Sequence, residues 1–240
     1  MKIELLGVAF DNVSMAEATA KGEGFLTGEG THYVVTPNPE IVEVCRENPQ
    51  AMEAVNGASL VLPDGIGVIY GAKINHTPLK ERVPGIEFGT AMIEACARLG
   101  LKVYFFGAKP GVAETAAAKM QERFPALQIA GSRDGYFKEE ESETIAEEIR
   151  QSGAALVFVC LGAPKQELWM RKYGEKTGAK LLLGLGGSID VFAGVAKRAP
   201  KFFCDHNLEW FYRLVKEPSR IGRMMKLPLF LIHVKGAKRK

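Results

Sequence analysis

Between about residues 31 and 192 the chain alternates short apolar, β-rich runs with longer helical runs, and turn residues punctuate most of the joins. This pattern constrains the fold more than any other feature. Consecutive strands separated by helices lie parallel, and a parallel sheet needs helices on both faces. The predicted strands are 33–36, 59–62, 103–106, 128–130, 155–161 and 180–185. Between them, Asn38 and Pro39 supply a cap and a first-turn proline for a helix to about residue 55. Further helices are expected from near 85 to 100, from 111 to about 124, over 139–151 and from 165 to about 173. The expected class is α/β, a mostly parallel sheet with helices on both faces, over residues 1–194. The stretch around Gly194, Lys197, Arg198 and Pro200 breaks the alternation and starts a C-terminal helical appendage, residues 195–240.

In sheets of this kind ligands sit beyond the carboxyl ends of the strands. The candidate site residues are therefore those that follow strands: Thr36 and Asn38, Asp64, Gly107, Gly135 and Tyr136, Gly162 and Gln166, and Gly186 to Asp190. Thr36-Pro-Asn-Pro-Glu40 leads from a strand into a helix N-terminus, whose free N–H groups and dipole favour an anion. Threonine and asparagine are also ordinary caps there. Leu62-Pro-Asp-Gly65 sets a carboxylate on a turn at a strand end. That aspartate either bonds its own backbone or serves as a base for an attacking hydroxyl.

The glycine-rich turns narrow the chemistry. None completes G-x-G-x-x-G, and no G-x-x-x-x-G-K-[ST] is present, which argues against a standard dinucleotide enzyme and against a P-loop ATPase. The four cysteines and four histidines are scattered, so no soft-ligand metal site is expected. Transfer from a sugar nucleotide needs charge neutralised on the departing diphosphate. No D-x-D pair is available to hold a metal for that purpose. Arginines do the same work by bidentate bonding to phosphate, and Arg213, Arg220 and Arg223 lie in the appendage.

Charge is segregated along the chain. From Val195 onward twelve Lys and Arg residues face three Asp and Glu, a net of +9, whereas the whole chain carries only +3, leaving −6 on the first 194 residues. Aromatic and aliphatic residues interleave with these cations, and Leu208, Phe211, Leu214 and Val215 recur at helical spacing. A helix docked on its own core has this pattern, and so does one lying on an anionic membrane surface. Basic, aromatic segments also bind nucleic acid, which is not the expected partner here. No stretch reaches the roughly twenty apolar residues of a spanning helix, and the first twelve residues lack a secretory pattern. The expectation is a cytoplasmic protein held peripherally at the inner face of the membrane.

Several segments together resemble one family. They are Thr36-Pro-Asn-Pro-Glu, Leu62-Pro-Asp-Gly65, Arg82-Val-Pro-Gly85, Phe106-Gly-Ala108, Gly162-Ala-Pro-Lys-Gln-Glu167, Gly186-Gly-Ser-Ile-Asp190, Arg198-Ala-Pro200 and Leu208-Glu-Trp-Phe-Tyr-Arg213 to Glu217-Pro-Ser-Arg220. In this order they are similar to the WecG/TagA/CpsF glycosyltransferases over nearly the whole chain. The resemblance implies a Rossmann-like domain and an appendage that completes the site at the membrane. It implies inverting transfer of N-acetylmannosamine from UDP to undecaprenyl-diphosphate-linked N-acetylglucosamine, a β-1,4 linkage of the wall teichoic acid linkage unit, without a cofactor. By the same resemblance Asp64 is the general base, with Thr36 and Asn38 in the sugar pocket and Gln166 at the matching helix start. Tyr136 and Asp190 match uracil-holding positions, and Arg213, Arg220 and Arg223 match arginines that close over the diphosphate. Glu87 stands where relatives often carry aspartate, and its role stays open. Three other readings stay open: a different UDP-sugar in another surface polysaccharide pathway, a NAD-dependent nucleotide-sugar oxidoreductase or epimerase, and a non-catalytic nucleotide-binding module. Self-association is a further expectation where apolar helices are left exposed.

Overall fold

The structure is a computed structural model of the chain and describes residues 1–197, 199–200, 202–203, 208–216, 222 and 225–237. In chain order the elements are β1 (Lys2–Leu5), β2 (Val8–Asp11), α1 (Met15–Thr27), β3 (His32–Val35), α2 (Pro39–Glu47), α3 (Pro49–Asn56), β4 (Leu60–Val61), α4 (Ile66–Ile74) and α5 (Gly85–Leu99). There follow β5 (Lys102–Gly107), α6 (Val112–Arg123), β6 (Gln128–Arg133), α7 (Ser142–Ser152), β7 (Leu156–Cys160), α8 (Lys165–Tyr173), β8 (Leu181–Gly184) and α9 (Ser188–Phe192). The last two described helices are α10 (Glu209–Lys216) and α11 (Lys226–Ala237).

The six strands β3 to β8 form one sheet in the order β4-β3-β8-β7-β5-β6, and every pairing in it is parallel. Its two faces follow from the period of two along each strand. On β7, Val157 and Val159 enter one buried cluster, while Leu156, Phe158 and Cys160 enter the other. On β5, Tyr104 and Phe106 oppose Val103 and Phe105 in the same way. Helices α2, α3, α4, α7, α8 and α11 cover the first face, and α1, α5, α6 and α9 cover the second. Because both faces are buried at β7 and β8, those strands are continuously apolar, which is why they could be recognised from sequence but not oriented.

Two expectations about the elements are corrected. The helix expected from residue 39 to about 55 is two helices, α2 and α3. Asn48 lies between them in extended backbone, since Pro49 disfavours the helical region for the residue before it. Its N–H closes α2 on Val44, and its side chain accepts from Gln50 and Ala51 to open α3. The second correction adds an antiparallel hairpin, β1–β2, ahead of the alternating region. Asn56 fixes its turn, accepting from Ala9 N at 3.0 Å and donating to Gly7 O at 2.8 Å. That long-range support has no local signature.

The C-terminal chain does not remain apart from the sheet domain. Helix α11 lies on α2 and α4, and its Phe230 and Val234 are buried within the cluster on the first face. The close approach depends on glycines in α4. A Cβ at Gly67 would stand 2.3 Å from Leu227 Cδ1, and one at Gly71 would stand 2.7 Å from Phe230 Cε1. No described helix is long and apolar enough to cross a membrane.

Candidate active site

The carboxyl ends of β3, β4 and β8 bring three of the sequence-predicted residues together. Thr36 follows β3, is 8% exposed, and donates from Oγ1 to the carbonyl of Gly184 at the end of β8, 3.4 Å away. Asn38 caps α2, accepting from Ile41 N at 3.0 Å, so part of its side chain is committed to the helix start. Asp64 follows the short strand β4 and is half-buried. Its Oδ1 accepts from Gly65 N at 2.6 Å and its Oδ2 from Gly85 N at 3.3 Å. Gly85 opens α5, whose Pro84 cap contributes no side-chain hydrogen bond. The Asp64 carboxylate thus stands at the positive end of a fifteen-residue helix.

Gly65 allows this geometry. Its φ of +80° belongs to the region that favours glycine, and a Cβ there would stand 3.4 Å from Asn38 Cβ and Pro39 Cδ. A Cβ at Gly85 would likewise stand 3.1 Å from Thr36 Oγ1. Backbone turns therefore draw Thr36, Asn38 and Asp64 to one corner of the sheet mouth. A carboxylate held by two N–H groups beside a small hydroxyl is suited to accept a proton from an entering alcohol.

Gln166 occupies the next position along the mouth. It is 2% exposed, accepts from Gly186 N through Oε1 at 3.0 Å, and donates from Nε2 to Glu167 Oε1 at 2.8 Å. It therefore ties the start of α8 to the loop after β8. Glu167, 1% exposed, decides which way that amide faces, because a carboxylate oxygen beside Nε2 leaves Oε1 for Gly186. Burial pushes the Glu167 carboxyl above its ordinary range, against the hydrogen bond from Gln166, which acts the other way. Sequence reasoning missed Glu167; a carboxylate in a helical first turn reads as a dipole partner, not as a buried side chain.

Tyr136 and Asp190 lie elsewhere on the edge. Tyr136 is 69% exposed on the loop after β6, with its N–H on Asp134 Oδ1 at 2.8 Å. That loop is pinned by Gly135 N to Ala108 O at 2.9 Å and by Lys165 Nζ to Gly135 O at 3.3 Å. Asp190 is half-buried on α9, and its carbonyl accepts from Val195 and Ala196 as the chain leaves the sheet. From β4, which precedes Asp64, to β6, which precedes Tyr136, there are five strand steps, about 24 Å at roughly 4.8 Å each. Arg213 belongs to α10, but its side chain, like the whole of Arg220 and Arg223, lies outside the described residues.

Among the described residues no group of three or more His, Cys, Asp or Glu could hold a metal ion. Cys45, Cys96 and Cys160 are buried and free, with burial pushing each thiol up to about 12. Cys204 lies outside the described residues. These thiols are packing groups.

The fold is that of an α/β protein with a parallel sheet, whose strand ends carry a backbone-held carboxylate at one side and an exposed tyrosine at the other. Comparison with known sequences gives the family. Residues 3–240 match the glycosyl transferase WecG/TagA/CpsF family, and the chain belongs to it. It is similar to the N-acetylglucosaminyldiphosphoundecaprenol N-acetyl-beta-D-mannosaminyltransferase of Staphylococcus aureus strain MRSA252, with 36% identity over 245 aligned positions that cover all of this chain and 94% of the relative. The proteins of the same name from strains MW2 and NCTC 8325 / PS 47 are each 35% identical, over the same shares of both chains.

Proposed function

We propose that this chain is an inverting glycosyltransferase that moves N-acetylmannosamine from UDP-N-acetylmannosamine to undecaprenyl-diphosphate-linked N-acetylglucosamine. The family membership and the activity named for relatives that align over 94% of their length support this reading. The observation that carries the chemistry is the Asp64 carboxylate, held at the start of α5 by Gly65 and Gly85 N–H groups and grouped with Thr36 and Asn38. Asp64 takes the proton of the acceptor hydroxyl as that oxygen attacks the anomeric carbon. The new C–O bond forms as the bond from that carbon to the UDP oxygen breaks, and UDP leaves with the bonding pair. Attack opposite the leaving group turns an α-linked donor into a β-linked product.

Thr36 and Asn38 orient the sugar in this reading, and Gln166 holds the Gly186 loop against the donor. Tyr136 and Asp190 hold the uracil at the far side of the mouth. Arg213, Arg220 and Arg223 neutralise the charge that develops on the departing diphosphate. Residues 195–240 act as the unit that completes the site and faces the membrane. Support comes from the apolar surface of the described C-terminal residues: Phe202, Phe211, Val215, Met225, Leu229 and Ile232 are exposed among a basic stretch. Such a surface suits the interface of an anionic bilayer, where a lipid-linked acceptor lies.

The test is purified protein with a panel of UDP-sugars and a lipid-diphosphate N-acetylglucosamine analogue, with mass analysis of the product and release of UDP followed in parallel. Addition of one N-acetylhexosamine from the manno donor alone is the expected result. Transfer from another donor only reassigns the pathway, and the absence of transfer from every donor refutes the enzyme.

A further inference from the structure

Glu43 is the most thoroughly buried acidic side chain that pairs with cations in the described structure. It is 1% exposed and lies on α2, near the middle of a short amphipathic helix where sequence alone would leave a carboxylate in water. What covers it is α11. His233 Nδ1 stands 3.0 Å from both Glu43 oxygens, Arg46 Nη1 donates to Oε2 at 2.6 Å, and Arg46 Nη1 also touches His233 Nδ1. Three charged or polar groups from two helices close on one another, 190 residues apart in sequence for Glu43 and His233.

Apolar contacts set the same register. Leu227 lies against Gly67 near the start of α4, and Phe230 and Val234 lie against Gly71 one turn further on. Helix α11 therefore runs alongside α4 in the same direction, with its first turn next to the mouth and His233 further away. A Cβ at Gly67 would also stand 2.5 Å from Pro39 Cγ, so Leu227, Gly67 and Pro39 meet at one place. Pro39 follows Asn38, and Gly67 is three residues past Asp64. Arg223 and Arg220 precede Lys226 by three and six residues, at most about 11 and 22 Å of extended chain.

We propose that Glu43 and His233 are positioning residues for the transfer reaction. Their contact locks α11 in register on α2 and α4, so that the arginine-bearing chain ahead of Lys226 starts from beside Asn38 and Asp64. Apolar packing alone tolerates sliding, whereas a buried carboxylate is satisfied in one register; without His233 it keeps Arg46 of its own helix and loses its bond to α11. This assignment rests on the glycosyltransferase reading and deepens it. Just ahead of the appendage, the carbonyl of Ala193 accepts from Lys119 Nζ at 2.7 Å.

The experiment combines backbone hydrogen exchange with steady-state kinetics on the full chain carrying His233→Ala, His233→Asn or Glu43→Gln. Asparagine places a hydrogen-bonding amide where Nδ1 stands, so His233→Asn is the conservative rescue. A hydrogen bond to a charged group is worth about tenfold to a hundredfold in a local equilibrium. In His233→Ala, α11 amides should exchange at least about tenfold faster while β5, β7 and β8 amides stay unchanged, and kcat should fall or donor KM rise by a comparable factor. His233→Asn should restore most of both. Unchanged α11 exchange in both His233→Ala and Glu43→Gln overturns the lock, and a released α11 with parental kinetics overturns the positioning role. A parent chain without transferase activity refutes the enzyme reading and the positioning role with it, while the exchange data separately decide the contact.

Discussion

Replacing Asp64 by asparagine separates the hydrogen bonding the structure gives this side chain from the base role proposed for it. One oxygen accepts from Gly65 N at 2.6 Å and the other from Gly85 N at 3.3 Å. Asparagine keeps one acceptor and turns an NH2 group toward the other N–H. Losing the longer bond at a half-buried position costs about 1 kcal/mol, and losing the anion at the start of α5 costs about another 0.3–1 kcal/mol. For a chain of this size, 1–2 kcal/mol lowers Tm by roughly 2–8 °C. Loss of a positioned base lowers turnover by about a hundredfold to ten-thousandfold, or roughly 3–5 kcal/mol of barrier. At 25 °C the variant should therefore remain folded, bind UDP within about twofold of the parent, and turn over at least about a hundredfold more slowly. The assay is saturating kcat with donor and lipid-linked analogue, paired with a thermal melt and UDP calorimetry. Turnover within a factor of two of the parent removes Asp64 as the base. A loss of turnover matched by loss of folded protein makes it only the cap of α5.

Three further outcomes are expected. Burial holds the Glu167 proton more tightly in the folded chain than in the unfolded one. The resulting stability is full below the ordinary carboxylate range, near 4.3, and is lost as pH rises through the raised folded value. Glu167→Gln should therefore gain Tm relative to the parent as pH rises from 4 to 9, and a Tm difference independent of pH would contradict this. Activity should persist in excess EDTA, because the chain has no D-x-D pair and the proposed reading assigns the counter-charge to its arginines; loss restored by magnesium or manganese would show that an ion handles the leaving group. Deleting the residues after Gly194 should abolish turnover and weaken salt-sensitive sedimentation with anionic vesicles. Equal activity with and without the segment would sink its role in the site, and unchanged vesicle binding would sink its role at the membrane.

The glycosyltransferase family was legible in the motifs, and the comparisons bear that out. So were the parallel sheet and most of its helices, α8 among them. Local rules carry these features: strands buried on both faces are apolar throughout, and turn residues mark their ends. Thr36, Asn38 and Asp64 could be nominated as strand-end residues for the same reason, since the end of each run is visible along the chain. Their meeting was not visible. It depends on β4, β3 and β8 being neighbours and on Gly85 N–H reaching Asp64 from twenty-one residues away.

Sequence by itself thus determined which residues follow strands and which segments fold locally, because capping, periodicity and turn chemistry act within a few residues. Only the tertiary structure decided what the segments do to one another. Glu43 and Glu167 are ordinary helical carboxylates along the chain, and each is 1% exposed once distant elements close over it. The break at residue 195 marks where the sheet stops but not where the core stops, for Phe230 and Val234 return to it between α2 and α4. Burial is set by whatever packs against a residue from elsewhere in the chain, and no local pattern contains that information.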